Sequence, residues 1–419
     1  MAVAIVGMLD ERQEGLELLK KRIEEKGHQA ILIDISIGTG AIKPTLRADI
    51  TCEEVAKEGG TTIEAIREIL DKERDKGTSA IAAGLGKKLL ELYDKSEIQG
   101  VIAVGGMTGT FINLTAMRLL PFGFPKLLIS SSAAMPKYAK NLSEFFGVRD
   151  ITVMHSVVDT VGMNPLVRSL MINGAEAISG MAGGYSPLEK EEKPSIAITE
   201  VGGCDKGAYY LRELLEKDYN IISFHAIGVG EKAALDLIGQ GLFEVFIDLV
   251  PAGFSEYLLG GNRATGPDRL DPACKLGMPY IISTCAFEMI SCGPIKRRED
   301  NDPLWVSRKL AERKLYLQDK LRVQARTSSE EMRTIAAEVA KKLNKHPNKK
   351  LVKFVIPTKG FSTLSVEGTM LYDPESDQSF IDELERCLDS EIEIIKVDTH
   401  INTREFASAV VGALGQVLQ

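Results

Sequence analysis

The chain has 419 residues, which is enough for two or three domains that each bury a core. With 44% hydrophobic and 26% charged residues, its composition is typical of a globular protein in water. The net charge of −8 argues against a dedicated nucleic-acid binder, because neutralising phosphates requires clustered Lys and Arg.

The sequence also shows no pattern typical of export, membrane insertion or a metal centre. It opens on the strand-like segment AVAIVG, without the basic and apolar regions of a secretory signal. No apolar stretch is long enough to span a bilayer. The six cysteines and five histidines are scattered and form no C-x-x-C or H-x-x-x-H pair. We therefore expect a cytoplasmic protein with free thiols and with no metal cluster, membrane partner or nucleic-acid partner.

The first half of the chain alternates strands and helices. Apolar runs predict strands at 2–7, 30–34, 101–104, 126–130 and 151–154, and amphipathic spacing predicts helices at 11–26, 51–58, 61–76, 78–95, 111–120 and 164–181. This alternation is typical of a doubly wound parallel sheet. Ligands on such sheets bind beyond the carboxyl ends of the strands.

A second series follows a polar segment at 186–193, a predicted linker that Pro194 ends. Strands are predicted at 196–199, 221–226, 245–250, 280–284, 352–356 and 392–397, and helices at 206–217, 231–240, 328–344, 377–389 and 403–418, with a helical excursion at 303–325. The expected fold class is therefore α/β, with two Rossmann-like domains at 1–185 and 194–419, each a mostly parallel sheet flanked by helices.

The stretch VIAVGGMTGT, residues 101–110, is the strongest candidate site. Strand formers end at Gly105 and Gly106, and Thr108, Gly109 and Thr110 lead into the helix predicted from 111. A helix N-terminus after a glycine turn offers backbone N–H groups and a positive dipole end to an anion. This pattern is typical of a phosphate-binding loop, but a plain connection between a strand and a helix explains it equally well.

Several other polar residues fall at predicted strand ends, where they would meet this loop: Asp10, Glu11, Arg12, Ser36, Ser130, Ser131, Ser132 and the segment 155–159. Acidic residues at the start of a helix are also expected from the dipole alone. Arg12 is close enough in sequence to the first strand end to reach a ligand phosphate. Asp159 can hold a hydroxyl or serve as a helix N-cap, and we slightly favour the cap.

The second domain offers a weaker candidate in FHAIGVGEKA, residues 224–233. His225 lies near a strand end, and Gly228 and Gly230 open a helix, as in an anion-binding nest. A packed core histidine beside a tight turn explains the same pattern. Further candidates near strand ends or in loops are Glu200, Asp248, Asp268 and Arg269, of which the last two can equally pair with each other. No nucleophile–base pair emerges, so the sequence leaves open whether the protein is an enzyme.

Six segments together carry a resemblance to a known family: VIAVGGMTGT, PFGFPKLLISS, SVVDTVGMNPLVRSLMINGAEAISGM, FHAIGVGEKAALDLIGQGLFEVFIDL, GPDRLDPACKLGMP and VKFVIPTKGFSTL. They occur in order across nearly the full chain. The sequence resembles the ATP-binding family that includes the N-terminal region of the tomato mosaic virus resistance protein and many bacterial stand-alone proteins. The resemblance implies two Rossmann-like subdomains, a homodimer, and ATP at the strand ends of the first subdomain.

The family loop usually has the sequence G-G-S-G-G-T. By this match Gly105, Gly106, Gly109 and Thr110 carry over, whereas Met107 and Thr108 depart from it. A threonine that needed a positive φ at this position would be strained.

The polar first turn Asp10-Glu11-Arg12 matches the family's usual Asp-Thr-Lys. With Ser36, Ser130 and Ser131 it completes the expected site for ATP, with or without Mg²⁺.

Three functions stay open at this point. The protein is an ATP-binding enzyme with a small-molecule site between its domains or near His225, or it is a non-catalytic ATP-dependent binding module. Alternatively, it is a two-domain clamp or enzyme for a small anionic metabolite such as a sugar acid. In that alternative the GGMTGT loop grips a carboxylate.

Overall fold

The computed structural model describes residues 1–188 and 192–418, except for the side chains of residues 139, 140 and 143. The chain divides into two compact units, Met1–Glu189 and Lys190–Gln419. Within the predicted linker at 186–193, residues 189–191 lie outside the described residues. Each unit is an α/β structure built on a mostly parallel sheet flanked by helices, as the sequence predicts.

The first unit contains twelve helices and strands among its described residues. In chain order they are β1 (Ala2–Gly7), α1 (Leu9–Glu25), β2 (Gln29–Asp34), α2 (Cys52–Glu58), α3 (Ile63–Ile69), α4 (Arg74–Asp94), β3 (Gly100–Gly105), α5 (Met107–Met117), β4 (Lys126–Ser130), α6 (Ala139–Phe146), β5 (Thr152–His155) and α7 (Pro165–Gly183). The five strands form one parallel sheet in the order β2-β1-β3-β4-β5.

Alternate residues of the central strands face two separate cores. Val3 and Ile5 of β1 pack with α1 and α7 on one face, whereas Ala4 and Val6 pack with α4 and α5 on the other. A strand that is buried on both faces needs a continuous apolar run, which is the pattern of β1 and β3. Because β2 lies on one side of β1 and β3 on the other, the strand order reverses between β1 and β3.

Three boundaries in the first unit differ from the sequence expectation by four residues or more. The helix predicted at 61–76 ends at Ile69, and the next one already starts at Arg74. Helix α5 begins at Met107 instead of 111, because Gly106 takes the N-cap position and its carbonyl accepts from the Thr110 N–H at 2.8 Å. Most of the predicted glycine loop is therefore the first turn of a helix.

Helix α7 also begins differently from our expectation for Asp159. Its N-cap is Asn164, whose Oδ1 accepts from the backbone N–H groups of Leu166 and Val167, both at 3.0 Å. Asp159 lies outside the helix and accepts from the N–H of Val161 at 3.3 Å. The slightly favoured cap was wrong, because Asn164 directly precedes a proline that fits the first helical position.

The second unit contains a larger set of elements. In chain order they are β6 (Ser195–Glu200), α8 (Asp205–Leu215), β7 (Asn220–His225), α9 (Val229–Gly239), β8 (Val245–Asp248), α10 (Ala252–Leu259), α11 (Asp271–Leu276), β9 (Tyr280–Ile282), β10 (Met289–Ser291), α12 (Lys296–Glu299), α13 (Pro303–Ser307), β11 (Leu315–Leu317), β12 (Val323–Arg326), α14 (Ser329–Leu343), β13 (Val352–Pro357), α15 (Pro374–Cys387), β14 (Glu393–Val397) and α16 (Arg404–Val417).

Six of these strands form a parallel sheet in the order β14-β13-β9-β8-β6-β7. Its first strand, β6, has β7 on one side and β8 on the other, so the strand order reverses between β6 and β8. The carboxyl ends beside this reversal are the expected ligand position of the second unit.

The helical excursion predicted at 303–325 was wrong. Only α13 and a single 3₁₀ turn at Leu310–Glu312 are helical there, and β11 and β12 follow. These strands join β10 in an antiparallel sheet of order β10-β12-β11. The apolar–polar alternation of a short edge hairpin is hard to separate from a helix turn by periodicity alone.

No helix among the described residues combines the length and apolar character needed to cross a bilayer.

Candidate functional site

The candidate site of the first unit lies where the strand order reverses, at the carboxyl ends of β1 and β3. Gly106 follows β3 and caps α5, and Arg12 lies in the first turns of α1, which follows β1. A Cβ atom placed on Gly106 would lie 2.9 Å from Nη2 of Arg12. The structure thus brings a guanidinium and a helix N-terminus together at the position where Rossmann-like sheets bind ligands.

Arg12 is held in this place by its own backbone and by three polar neighbours. Its φ of −133° departs from helical geometry inside α1, and its side chain is only 5% exposed. Nε donates to the Thr160 hydroxyl at 2.8 Å, Nη1 pairs with Glu11, and Nη2 lies 3.5 Å from a carboxylate oxygen of Asp159. This network fixes the guanidinium beside Gly106, because side chains that follow β1 and β5 support it from two directions.

The backbone of the α5 N-terminus has unused donors. Within the described part of the chain, the N–H groups of Met107, Thr108 and Gly109 have no backbone or side-chain acceptor, and the first bonded amide is that of Thr110. Thr108 has helical geometry, so the strain considered for a positive φ does not arise. The Met107 side chain is 37% exposed and leaves the half-buried Gly106 accessible.

Ser130 and Thr110 lie close together, as expected for a site, but their hydroxyl groups bind each other instead of facing a ligand. Their hydroxyl oxygens are 2.6 Å apart, and the Ser130 Oγ also accepts from the N–H groups of Ser132 and Ala133 at 3.0 Å. Both side chains are fully buried, whereas Ser131 is partly exposed beside them. Ser130 and Thr110 therefore tie the end of β4 to α5 and have little capacity left for a ligand.

Ser36 and Asp10 hold the segment that follows β2 against the start of α1. The Ser36 hydroxyl donates to Asp34 at 2.5 Å and accepts from the Asp10 N–H at 3.2 Å. The Asp10 Oδ2 accepts from the Gly40 N–H at 3.0 Å, whereas its buried Oδ1 has no partner among the described residues. Burial raises the pKa of Asp34 despite hydrogen bonds from Ser36 and Leu9. The main role of Asp10 and Asp34 is therefore to stabilise the loop that follows β2.

The described residues contain no group of three or more His, Cys, Asp or Glu side chains that could hold a metal ion.

In the second unit, Arg269 is fully buried and bound to carboxylates. Its Nη1 and Nη2 donate to the two oxygens of Asp248 at 2.9 and 2.8 Å, and its Nε donates to Glu231 at 2.7 Å. Tyr280 and Thr199 donate to Asp248 as well, at 2.8 and 2.5 Å. Arg269 therefore does not pair with the exposed Asp268, and its donors are used inside the core.

The glycine turn before α9 is closed by a carboxylate of the protein itself. Glu231 accepts from the N–H of Gly228 at 3.1 Å and from the N–H of Gly253 at 2.9 Å. Gly228 has a φ of +96°, and a Cβ on Gly230 would lie 2.0 Å from the carbonyl oxygen of His225. The glycines at 228 and 230 thus serve a left-handed turn and a close backbone contact, and Glu231 occupies the position of an anion.

Of the other candidates in this unit, Glu200 and His225 end the adjacent strands β6 and β7. Glu200 forms an ion pair with Arg212 at 2.5 Å. The exposed His225 lines a cavity of about 610 Å³ beside the carboxyl ends of β6, β7 and β9. The size lies within the range of small-molecule sites.

Sequence reasoning missed most of this cavity. Gly202 and Gly203 line it from the turn after β6, and Arg263 and Arg322 line it from loops. The glycine pair after the first strand of the second domain was the available signal, because this turn often binds phosphates in Rossmann folds. The loop arginines and the antiparallel strands left no comparable pattern.

Family models cover nearly the whole chain. The N-terminal domain model of an uncharacterised protein family, UPF0261, matches residues 1–187, and its C-terminal domain model matches residues 193–418. A UPF0261 protein of Clostridium tetani is 32% identical over 419 residues, covering 100% of this chain and 99% of that protein. A second, from Rhizobium meliloti, is 30% identical and covers 98% of both chains.

The ToMV resistance protein Tm-1 of Solanum lycopersicum is 29% identical over 362 residues, covering 82% of this chain and 46% of the tomato protein. Among solved structures, a UDP-N-acetylglucosamine 2-epimerase described as putative, from Listeria monocytogenes, is 12% identical and covers 67% of this chain and 78% of its own. Its TM-score of 0.21 is too low to carry information on ligand or activity. The two family matches and the full-length relatives decide the assignment: the chain belongs to the UPF0261 family.

Proposed function

We propose that the first unit binds ATP, with the phosphates held between Arg12 and the N-terminus of α5. The observation that carries the proposal is the position of the Arg12 guanidinium against Gly106, next to three unused backbone N–H groups. A phosphate there gains charge-assisted hydrogen bonds from the guanidinium and the positive end of the helix dipole. The Thr108 hydroxyl, which bonds to no described side chain, adds a donor.

The absence of a side chain at position 106 is part of this proposal. A phosphate oxygen can reach the backbone of Gly106 only because no Cβ stands between it and Arg12. The φ of −78° at Gly106 is open to any residue, so the turn itself does not demand glycine. The close approach of a ligand is therefore the reason we assign to this glycine.

A carboxylate of a small metabolite such as a sugar acid would use the same donors. The two ligand classes differ in charge and in size, and competition between ATP and a sugar acid at this corner separates them. The family resemblance favours the nucleotide. We include in the proposal a homodimer in the cytoplasm, where the free cysteines would stay reduced.

Calorimetric titration with ATP tests the proposal on the full-length protein. Gly106→Asp puts a carboxylate against Arg12, where it competes with the phosphate for the guanidinium, and we expect at least a tenfold loss of affinity. Gly180→Asp is the matched control, because Gly180 is exposed on α7 and a Cβ there meets nothing within 4 Å. Equal affinities of the wild type and Gly106→Asp would reject the assigned site.

A further inference from the structure

Two arginines and no acidic residue line the cavity of the second unit. Arg263, Arg322 and His225 line it, and none of its lining residues is an aspartate or glutamate. The remaining walls combine apolar side chains such as Met289 with polar ones such as Gln324. Both arginines also pair with carboxylates that do not line the cavity, Arg263 with Glu256 at 2.9 Å and Arg322 with Asp319 at 2.6 Å, so the site offers an anion guanidinium donors without facing acids.

Arg263 has a donor left for a ligand. Its Nε and Nη2 both donate to one oxygen of the buried Glu256, at 3.1 and 2.9 Å, and this pairing fixes the guanidinium plane. Within the described part of the chain, Nη1 has no acceptor. The side chain is 15% exposed, so it faces the cavity from a mostly buried and preoriented position.

The turn after β6 also has unused hydrogen-bond donors, in its backbone. The carbonyl of Gly203 accepts from the Thr363 N–H at 2.9 Å and from the Asn402 amide at 2.8 Å. The N–H groups of Gly202 and Gly203 donate to no described residue. Hydrogen bonds to its carbonyl oxygen therefore hold the turn in place, while its N–H groups stay unbonded. The turn directly precedes α8 and lies beside the reversal of strand order, where Rossmann-like sheets bind ligands.

The rest of the lining includes a residue with a left-handed backbone and two hydroxyl-bearing side chains. Ala286 has a φ of +67°, which is costly for a residue with a Cβ, and it lines the cavity from the segment after β9. Ser291 and Tyr316, from the antiparallel sheet, line the same space, and their hydroxyl groups bond to no described side chain. Ligand hydroxyl groups could pair with them.

From this arrangement we propose that the cavity binds a small hydroxylated anion, a sugar phosphate or a sugar acid. The anionic group lies between Arg263 and the Gly202–Gly203 turn, and the hydroxyl groups of the ligand face Ser291, Tyr316 and Gln324. This second site is separate from the ATP site of the first unit, so either can fail without the other.

The single tryptophan of the chain provides a local readout. Trp305 is 3% exposed in the second unit, and its Nε1 donates to the carbonyl of Cys292 at 2.8 Å, next to the cavity-lining Ser291. Titration of the full-length protein with D-ribose 5-phosphate, D-gluconate and inorganic phosphate, followed by tryptophan fluorescence and calorimetry, reports on this cavity. Neutral D-ribose is the control for charge, and saturating ATP tests independence from the first unit.

We expect ribose 5-phosphate or gluconate to bind at least tenfold more tightly than ribose, with or without ATP. Tighter binding of ribose 5-phosphate identifies a phosphate ligand, and tighter binding of gluconate identifies a carboxylate ligand. Binding of inorganic phosphate alone would place the main recognition at the anionic group. No response to any anionic probe up to about 10 mM, or equal affinity for ribose, would overturn the proposal.

Two variants of lining residues and one control variant locate the binding. A Cβ on Gly202 meets nothing within 4 Å, so Gly202→Asp adds a negative charge to the lining without a clash, and the affinity for the anion should fall at least tenfold. Gly412→Asp, on the exposed face of α16, carries the same charge change and should leave binding unchanged. Arg322→Gln removes an exposed guanidinium, which also pairs with Asp319 at 2.6 Å, and should weaken binding severalfold. If Gly202→Asp binds the anion with unchanged affinity, the ligand does not bind in this cavity, and the assignment is overturned.

Discussion

The guanidinium of Arg12 lies so close to Gly106 that a Cβ atom at position 106 would be 2.9 Å from its Nη2. Each residue follows a central strand of the first sheet, and the order of the strands reverses between these two strands. A fixed guanidinium beside a helix N-terminus that has no side-chain cap is an arrangement that favours an anion. The proposal for ATP depends on this relationship more than on the length of the glycine loop.

Replacing Arg12 should weaken ATP binding without disrupting the N-terminus of α5, which supplies the other donors to the phosphates. Arg12→Gln keeps an amide that can donate to Thr160 and loses the charge, so we expect about a tenfold loss of ATP affinity and a weaker dependence on salt. Calorimetry at two ionic strengths measures both effects. Lys21→Gln, on the exposed side of α1, is the control. An Arg12→Gln protein that binds ATP like the wild type would exclude the guanidinium from the site.

The cap of α7 gives a prediction on stability. Asn164→Ala removes the acceptor for the N–H groups of Leu166 and Val167 and should lower the free energy of unfolding by about 1 kcal/mol. Asp159→Ala, close in sequence but outside the helix, should have a smaller effect. Urea denaturation of both variants makes the comparison. The reverse order of the two effects would contradict the assignment of the cap.

The buried ion network of the second unit should be sensitive to the loss of one partner. Arg269→Met leaves Asp248 and Glu231 without a cation in the core, and we expect a loss of about 3 to 5 kcal/mol in the free energy of unfolding. Arg386→Met removes an exposed arginine and should leave the urea midpoint unchanged. A small effect of Arg269→Met would contradict the expected cost of leaving two buried carboxylates without their cation.

Glu288 lies in the segment between β9 and β10 and is fully buried. Neither carboxylate oxygen accepts a hydrogen bond from a described residue. Burial raises the pKa of Glu288 to about 7, against the lowering effects of the Ser362 hydroxyl, which lies near the carboxylate without the geometry of a hydrogen bond, and of the Arg326 guanidinium. Arg326 is shared with the carboxylate of Asp377 at 2.6 Å, and burial raises the pKa of Asp377 to about 6.

The raised pKa of Glu288 determines the sign of a pH effect. Between the ordinary value of 4.5 and about 7, the folded state binds more protons than the unfolded state, so the free energy of unfolding falls as the pH rises. From pH 5 to pH 8 the loss from this group should be on the order of 2 kcal/mol. Glu288→Gln cannot ionise and should lose less stability over this range in urea denaturation. Parallel pH profiles of the two proteins would contradict the raised pKa.

Much of the fold could be predicted because its strands are short apolar runs between clear breakers. The strand Lys126–Ser130 has the predicted bounds, and β1 through β3 differ from theirs by one residue at most. The antiparallel strands β10 to β12 could not be predicted, because three- and four-residue strands carry too few alternating positions to distinguish them from loops or helix turns. Their pairing depends on contacts across the unit.

The candidate site was predictable only at the level of strand ends. The sequence placed Arg12 and Gly106 at neighbouring strand ends, but it could not show that Ser130 binds Thr110 or that Ser36 binds Asp34. A hydroxyl at a strand end looks the same in sequence whether it faces a ligand or another side chain. For the same reason Arg269 was a candidate although its donors are used by buried acids.

Hydrogen–deuterium exchange of the full-length protein with and without ATP tests the central claim most directly. The unbonded N–H groups of Met107, Thr108 and Gly109 should exchange more slowly when ATP is present, because the phosphates accept their hydrogen bonds. Peptides around Gly202 should keep their rates. Protection confined to the second unit, or no protection at 106–110 under saturating ATP, would contradict a nucleotide site at the Arg12–Gly106 corner.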